Sequence, residues 1–420
     1  MKNIEILQLP PYYYPERISS THLTDDLDKA FYEAGFHTTA YAPTPCRGID
    51  METREKYKNI KHEVLENGSC DLYRFPLFKE GKNPIVRAVR YIICNVIQYY
   101  YGCNARNIDI IFAGSTPPTQ GMLCGMVARK LSKKYRHKVP FIYSLQDVFP
   151  DSLVAAGLTT KGSLVWKIGR KIENFTYQNA DRIIVISNDI KENIINKGVT
   201  EDKISVIPNW IDTDLIHPVS KDKNRLFDEL GIDRNKFIVV YAGNLGYAQG
   251  IDVILEAAKI LDSDDRISFI IFGNGAIENE VKKKISEMKM QRVNLYPLQP
   301  YERVSEVYSM GDACIVACKR GTGGFAMPSK TWSIMGCGRA VLASFDTKSS
   351  LQKIVEGNNC GLFAEAGDAR QLADSILTLA DSPEITKEMG KNARAYIEQN
   401  LSRKTCTGKI CKIIYESKYN

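Results

Sequence analysis

Short β-branched segments alternate with amphipathic helical stretches along the whole chain, and this alternation limits the fold more than any other feature. In the first half the strand candidates are Ile4 to Leu9, Ile108 to Phe112, Phe141 to Leu145 and Arg182 to Ile186. In the second half they are Phe237 to Tyr241, Ser268 to Phe272, Arg292 to Tyr296, Cys314 to Ala317 and Ala340 to Ser344. Strands separated by helices form parallel sheets covered on both faces, so the class is α/β and doubly wound. The pattern runs out once, at Val206-Ile207-Pro208-Asn209-Trp210-Ile211-Asp212 through His217-Pro218, which reads as a last short strand and an irregular connector. Domains are therefore expected over 1–204 and 223–400, joined by a connector over 205–222. At 420 residues the chain is long enough for two complete cores. Doubly wound domains bind ligands at the carboxyl ends of their strands, which predicts a cleft between the two.

The loops at those strand ends carry the polar chemistry. Gly321 to Arg339 reads GTGGFAMPSKTWSIMGCGR, a glycine-rich loop entering a helix without acids. Glycines at Gly323 and Gly324 let backbone approach a ligand, and Pro328 suits a first helical turn. Exposed amides of Ser329, Lys330 and Thr331, with the helix dipole and the Lys330 ammonium, would receive a phosphate. The plainer alternative is a helix start with a surface lysine. After the first strand, Pro10 to Ser20 (PPYYYPERISS) presents three tyrosines with Arg17 and Ser19, either to cover a substrate and meet an anion or as a structural turn. Gly114 to Gly121 is a candidate acceptor loop. Gln146-Asp147 ends the Phe141 strand, where an amide and a carboxylate would grip sugar hydroxyls, unless Asp147 caps the next helix.

Composition removes other classes. Eleven cysteines without a CxxC pair suggest neither a disulfide framework nor a zinc site, and point to reduced thiols in a cytoplasmic protein. The amino-terminal MKNIEILQLP has no signal-peptide pattern, and no run reaches the length of a membrane span. Charge is uneven: from Gly81 to Gln146 ten lysines and arginines meet one acid, Asp109, a local +9 in a chain of net charge +7. Within that segment a helix after Asn83-Pro84 places Arg87, Arg90, Asn95 and Gln98 on one stripe, with Ile92, Val96 and Tyr100 among the apolar remainder. Residues 84–101 would rest on an anionic membrane, or pack in a core with a solvated edge. No reader motif supports nucleic acid.

PPYYYPE, STPP, LQDVFPDS, VIPNWID, YAGNLGYAQGID, FGNG, and PSK followed by MGCGRAV occur here in the order found in family 4 glycosyltransferases. From about Ile4 to Leu401 the chain resembles that family, and particularly the subgroup that builds bacterial O-antigen, capsule and colanic acid, which includes fucosyl and N-acetylfucosaminyl transferases. The resemblance implies a GT-B fold, two Rossmann-like domains facing across a cleft. The first would bind an acceptor and the second a nucleotide-sugar donor, UDP-linked by first expectation, with no cofactor and no catalytic metal. It also implies a last helix, 401–420, that packs back on the first domain, and an acceptor carried on polyprenyl diphosphate or an oligosaccharide at the cytoplasmic membrane face.

Carried over by position, Gly243 and Asn244 would lie near the donor diphosphate, with Gln249-Gly250 where many members have Lys-Gly. Asn244 and Gln249 replace a cationic pair, which places more weight on Lys330. Leu298, within YPLQPY, lies in the loop resembling the one that reads the base. Gln146 stands where many members have a histidine, beside Asp147. Two glutamates common in the family are replaced by Phe325 and Ser333, and a serine in place of the ribose-binding acid costs about 1 to 2 kcal/mol unless another group compensates. The implied reaction is retaining: Lys330 and the amides of Gly323, Gly324 and Ser329 stabilise the departing diphosphate, which takes the acceptor proton. A noncatalytic accessory subunit with a degenerate donor site, a sugar-nucleotide epimerase and a nicotinamide-dependent dehydrogenase stay open as alternatives. The last lacks a full glycine fingerprint after a first strand.

Overall fold

The computed structural model describes residues 4–16, 21–80, 84–155, 157–323 and 327–419, and the side chains of 21, 22, 84 and 85 are outside that description. Ser19, Arg17, Gly324 and Phe325, singled out above, lie outside the described residues. The chain divides into two compact units, one running to Pro208 and resumed from Cys406, the other from Asn209 to Thr405. The connector is thereby split: its first residues close the first sheet, and Asn209 onward belongs to the second unit.

The first unit holds eight strands: β1 Glu5–Gln8, β2 His37–Pro43, β3 His62–Leu65, β4 Cys70–Phe75, β5 Ile110–Gly114, β6 Phe141–Leu145, β7 Arg182–Val185 and β8 Ile204–Val206. Their spatial order is β3-β4-β2-β1-β5-β6-β7-β8. Every pair is parallel except β3 with β4, which is antiparallel and departs from the wholly parallel expectation. Ile6, Leu7, Ile110, Ile111, Phe141 and Ile142 are fully buried, as central parallel strands covered on both faces must be. The carboxyl-terminal helix Arg403–Tyr419 is tied to this unit by an ion pair from Lys418 to Asp109 and a Cys411 thiol contact with the Ala30 carbonyl.

The second unit has six strands, all parallel: β9 Phe237–Asn244, β10 Ile267–Asn274, β11 Val293–Tyr296, β12 Ala313–Ala317, β13 Ala340–Phe345 and β14 Gly361–Glu365, ordered β11-β10-β9-β12-β13-β14. Val239, Ile254, Phe269, Ile271, Ile315 and Leu342 belong to one buried cluster between the sheet and its helices. β9 and β10 run in register to Asn244 and Asn274, so the glycines Gly243 and Gly273 stand side by side at the carboxyl edge.

The helix Pro84–Asn104 is turned opposite to a packing helix with a wet edge. Its polar stripe faces inward: Arg90 and Gln98 are fully buried, Gln98 donating to the carbonyls of Pro10 and Tyr41, while Asn95 donates to the Thr119 hydroxyl at 2.7 Å. Arg87 pairs with Glu80 at 2.6 Å. Its apolar side faces out, with Ile92 61%, Val96 65% and Tyr100 66% exposed. Neither arginine is thus a free cation for a membrane. Arg90 instead donates to the Phe78 carbonyl at 3.0 Å, lies over the Tyr12 ring, and faces Glu16, whose buried carboxyl accepts the amides of Tyr13, Cys46 and Arg47. Removing one partner from a buried ionic cluster leaves the other charge uncompensated. Arg90→Ala should therefore lower unfolding stability by about 3 kcal/mol, read from the urea midpoint. An unchanged midpoint would contradict this placement.

Candidate active site

In the second unit Lys330 opens the helix Lys330–Gly336 and reaches across to the carboxyl end of β9. Its Nζ donates to the Tyr241 hydroxyl at 2.8 Å and to Gln249 Oε1 at 3.3 Å, and stands 4.0 Å from the centroid of the Tyr241 ring. Tyr241 is fully buried and its hydroxyl donates to the Asn244 carbonyl at 2.9 Å, so one tyrosine links the lysine to the strand end. Gly243 makes room for the ammonium: its φ is +148°, and a Cβ there would lie 3.0 Å from Lys330 Nζ. Gly243, Asn244, Gln249 and Lys330, chosen by sequence position, are thus brought together. The described partners of Lys330 are both neutral oxygens, and burial pushes its ammonium down from 10.5 to about 7. A lysine in this state gains charge when an anion arrives.

The glycine-rich loop differs from expectation. The amide of Gly323, expected to meet a ligand, donates to Asp346 Oδ2 at 2.8 Å, and that of Gly321 donates to Asp346 Oδ1 at 2.8 Å. Asp346 follows β13, and its carboxylate organises the loop, so a ligand meets neither amide as a free donor. A Cβ on Gly323 would come within 2.5 Å of the Phe345 ring, which explains glycine there on packing grounds. The amide of Thr331 is likewise engaged, with the Pro328 carbonyl at 3.0 Å, leaving Ser329 and Lys330 as the main-chain donors of the helix start among the described residues. Ser329 is exposed with helical φ and ψ, and its side chain makes no capping bond. Ser333 lies in the same helix, three residues after Lys330, and Leu298 is exposed in the loop after β11.

In the first unit a cavity of about 170 Å³ opens at the carboxyl ends of β1, β5 and β6, lined among others by Leu9, Tyr12, Leu27, Ser115, Gln120 and Gln146. The main-chain amide of Gln146 donates to the Ser115 hydroxyl at 3.0 Å and its side-chain amide to Ser144 at 3.2 Å, fixing the loop by its neighbouring strands. Asp147 is held by the Ser152 side chain and the Val148 amide, and burial raises its carboxyl above the ordinary range against both. The aromatic loop expected to cover a substrate is largely structural. Tyr13 is buried and donates to Asp28 at 2.6 Å, Tyr12 bonds Glu80 and Tyr91, and only Tyr14 is exposed. Burial pushes Asp28 up to about 7 although Tyr13 and Gln8 donate to it.

Two residues were missed as site elements, Tyr241 and Asp346, whereas Gln120 lies in the Gly114 to Gly121 loop expected to face an acceptor. Tyr241 lies inside β9, three residues before its end, and Asp346 directly follows β13; the role of each depends on partners distant in sequence. Gln120 donates to the Leu9 carbonyl and keeps its Oε1 without a partner among the described residues, facing the cavity. Among the described residues no group of three or more His, Cys, Asp and Glu converges in a way that could hold a metal ion.

Residues 23–215 match the family model "Glycosyltransferase Family 4" and residues 222–396 match "Glycosyl transferases group 1". The chain belongs to the family 4 glycosyltransferases. It is 25% identical to the probable glycosyltransferase WbjE of Pseudomonas aeruginosa, over 86% of this chain and 83% of that one. It is 28% identical to the putative colanic acid biosynthesis glycosyl transferase WcaI of Escherichia coli K12, over 82% and 84%. Among solved structures, sucrose-phosphate synthase from Thermosynechococcus elongatus superposes with a TM-score of 0.74 at 16% identity, covering 99% of each chain. The Anabaena protein Alr3699/HepE, in complex with UDP and glucose, superposes with a TM-score of 0.71 at 16% identity, covering 99% of this glycosyltransferase and 100% of that chain. These likenesses establish the GT-B fold.

The depressed lysine gives a signed prediction. Between about pH 7 and 10.5 the unfolded chain holds a proton on Lys330 that the folded chain lacks, so this residue makes stability rise with pH across that window. Urea unfolding of wild type and Lys330→Met should show a stability difference that moves in favour of wild type from pH 7 to 10. A difference independent of pH would contradict the environment described.

Proposed function

We propose that this glycosyltransferase moves a sugar, with retention at the anomeric carbon, from a UDP-sugar to a lipid-linked or oligosaccharide acceptor during assembly of a bacterial surface polysaccharide. The observation that carries the donor side is Lys330, held on neutral oxygens beside Gly243 and poised to charge when a diphosphate binds. Family membership supports transfer chemistry, and the names of WbjE and WcaI support a polysaccharide setting. The Anabaena complexes with UDP and with UDP-glucose support a uridine donor.

In this reading the donor's bond from the anomeric carbon to the β-phosphate oxygen breaks as the acceptor oxygen bonds the same face of that carbon. The acceptor proton passes to the departing phosphate. Charge growing on the diphosphate is met by the Lys330 ammonium and the amides of Ser329 and Lys330, without recourse to a catalytic metal. Gly243 admits the diphosphate close to the backbone, with Asn244 and Gln249 beside it. Leu298 marks the base loop, and Ser333 replaces a carboxylate at the ribose. Gln146 and Asp147 serve the reacting sugar on the acceptor side, and Ser19 and Gly324 complete the assignment from sequence position. A polyprenyl-diphosphate acceptor would be met at the cytoplasmic membrane face, with the outward apolar side of helix Pro84–Asn104 resting on the lipid. No described helix is long and apolar enough to cross a membrane.

A thermal-shift panel of UDP, GDP and dTDP should show stabilisation by UDP. Lys330→Ala should weaken UDP binding about thirtyfold, the loss of a charge-assisted contact of about 2 kcal/mol. Silence across the panel would favour a noncatalytic accessory subunit. With a turned-over acceptor, the first glycosidic product should keep the donor's anomeric configuration by NMR, and inversion would overturn the mechanism.

A further inference from the structure

A second outward apolar surface lies away from helix Pro84–Asn104, at the start of helix Leu164–Asn179 and the turn before it. Leu158 is 75% and Leu164 73% exposed, and Val165 and Ile168 are more than half or half exposed. Leu164, Ile168 and Lys171 follow helical spacing on one side, whereas Gly169, Glu173, Thr176 and Tyr177 are buried on the other. The corner is ordered. Ser163 accepts the Trp166 amide at 3.2 Å and its hydroxyl meets that of Thr159 at 2.8 Å, while the Leu158 amide donates to the Leu153 carbonyl. Three well-placed aliphatic side chains at a helix start, left in water, are costly without a partner.

Charge identifies the occupant. From 157 to 172 there is no acid, and Lys161, Lys167 and Lys171 are exposed and take part in no ion pair among the described residues. Arg170 is neutralised by Glu173. Apolar side chains rimmed by unpaired lysines suit the boundary between acyl chains and anionic headgroups. Topology orients the corner with the first apolar surface. β5, β6 and β7 are parallel neighbours, and right-handed crossovers put helices Gln120–Tyr135 and Leu164–Asn179 on one face of the sheet. Helix Pro84–Asn104 packs against Gln120–Tyr135, which in turn packs against Leu164–Asn179. The corner also adjoins the acceptor-side loop: a Cβ on Gly169 would lie 2.8 Å from Pro150 and 2.9 Å from Phe149, just beyond Gln146 and Asp147.

We propose that the corner formed by Leu158, Leu164, Val165 and Ile168, with Lys161, Lys167 and Lys171, is a second bilayer-docking element that selects anionic lipid headgroups. It supplies the attraction that the engaged Arg87 and buried Arg90 cannot, and it rests on the membrane reading of helix Pro84–Asn104 only for the shared orientation.

The test is flotation of the full chain with phosphatidylcholine vesicles, with or without about a third phosphatidylglycerol, together with quenching of tryptophan fluorescence by brominated lipid. Trp210 and Trp332 are buried in the second unit, so Trp166 reports the corner. Wild type should float with the anionic vesicles only, and its fluorescence should be quenched there. Lys161→Gln, Lys167→Gln and Lys171→Gln should each lower partitioning up to about fivefold. Leu164→Gln with Ile168→Gln should lower it at least tenfold in protein that melts like wild type. If this double variant floats normally and Trp166 is not quenched while Ile92→Gln with Val96→Gln abolishes flotation, the corner assignment falls and the helix reading stands. The reverse pattern sinks the helix reading and supports the corner. Absence of wild-type flotation overturns both. A corner variant that instead halves the mass seen by light scattering makes a second copy the occupant and also overturns the proposal. Quenching of wild type requires no variant, so a substitution that misfolds leaves the question answerable.

Discussion

Lys330 lies with its ammonium over the ring of a buried tyrosine, its described hydrogen bonds going to neutral oxygens. Such a charge is expensive to keep, and burial moves it toward neutrality at about pH 7. The surrounding geometry serves this placement. Parallel pairing of β9 with β10 and β12 sets the strand end, Gly243 gives the side chain room, Tyr241 joins it to Asn244, and Gln249 supplies the second oxygen. The two positions at which the family resemblance implies cations hold Asn244 and Gln249, so the proposed donor side leans on Lys330, whose charge is conditional. An arriving diphosphate would provide the missing counter-charge, which makes the site selective for an anion by electrostatics before any contact with base or sugar.

The same substitution of carboxylate and amide roles appears in the glycine-rich loop. Phe325 and Ser333 stand where acids are common, yet an acid is present in Asp346, and it shapes the loop through the amides of Gly321 and Gly323. Gly323 is therefore explained by close packing on Phe345, and the amides of Gly321 and Gly323 are taken up by that carboxylate.

Much of the fold was legible. Apolar β-branched runs gave nine strands within a few residues of their ends, because a central parallel strand is buried on both faces and its sequence shows it. β2, β3, β4 and β14 escaped notice, as their apolar runs are broken by Thr38, Glu63, Asp71, Arg74 and Glu365. Arg74 illustrates why: it is buried beside Glu63 at 2.6 Å, a pairing between strands that no local pattern reveals. The periodicity of helix Pro84–Asn104 showed two faces but could not say which one pointed inward. That choice was made by Gln98, Asn95 and Arg90 finding carbonyl and hydroxyl partners in distant loops. Of the site, Gly243, Asn244, Gln249 and Lys330 could be gathered by position alone, whereas Tyr241 and Asp346 required the third dimension.

The central claim is that Lys330 is a conditional cation charged by a nucleoside diphosphate. It is tested most directly by titrating the side-chain Cε resonance of Lys330 in isotope-labelled protein, assigned by its loss in Lys330→Arg. Without ligand the midpoint should fall near 7, far below an ordinary lysine, and saturating UDP should raise it by about two units or more. A ligand-free midpoint near 10.5, or one that UDP leaves in place, would contradict the account.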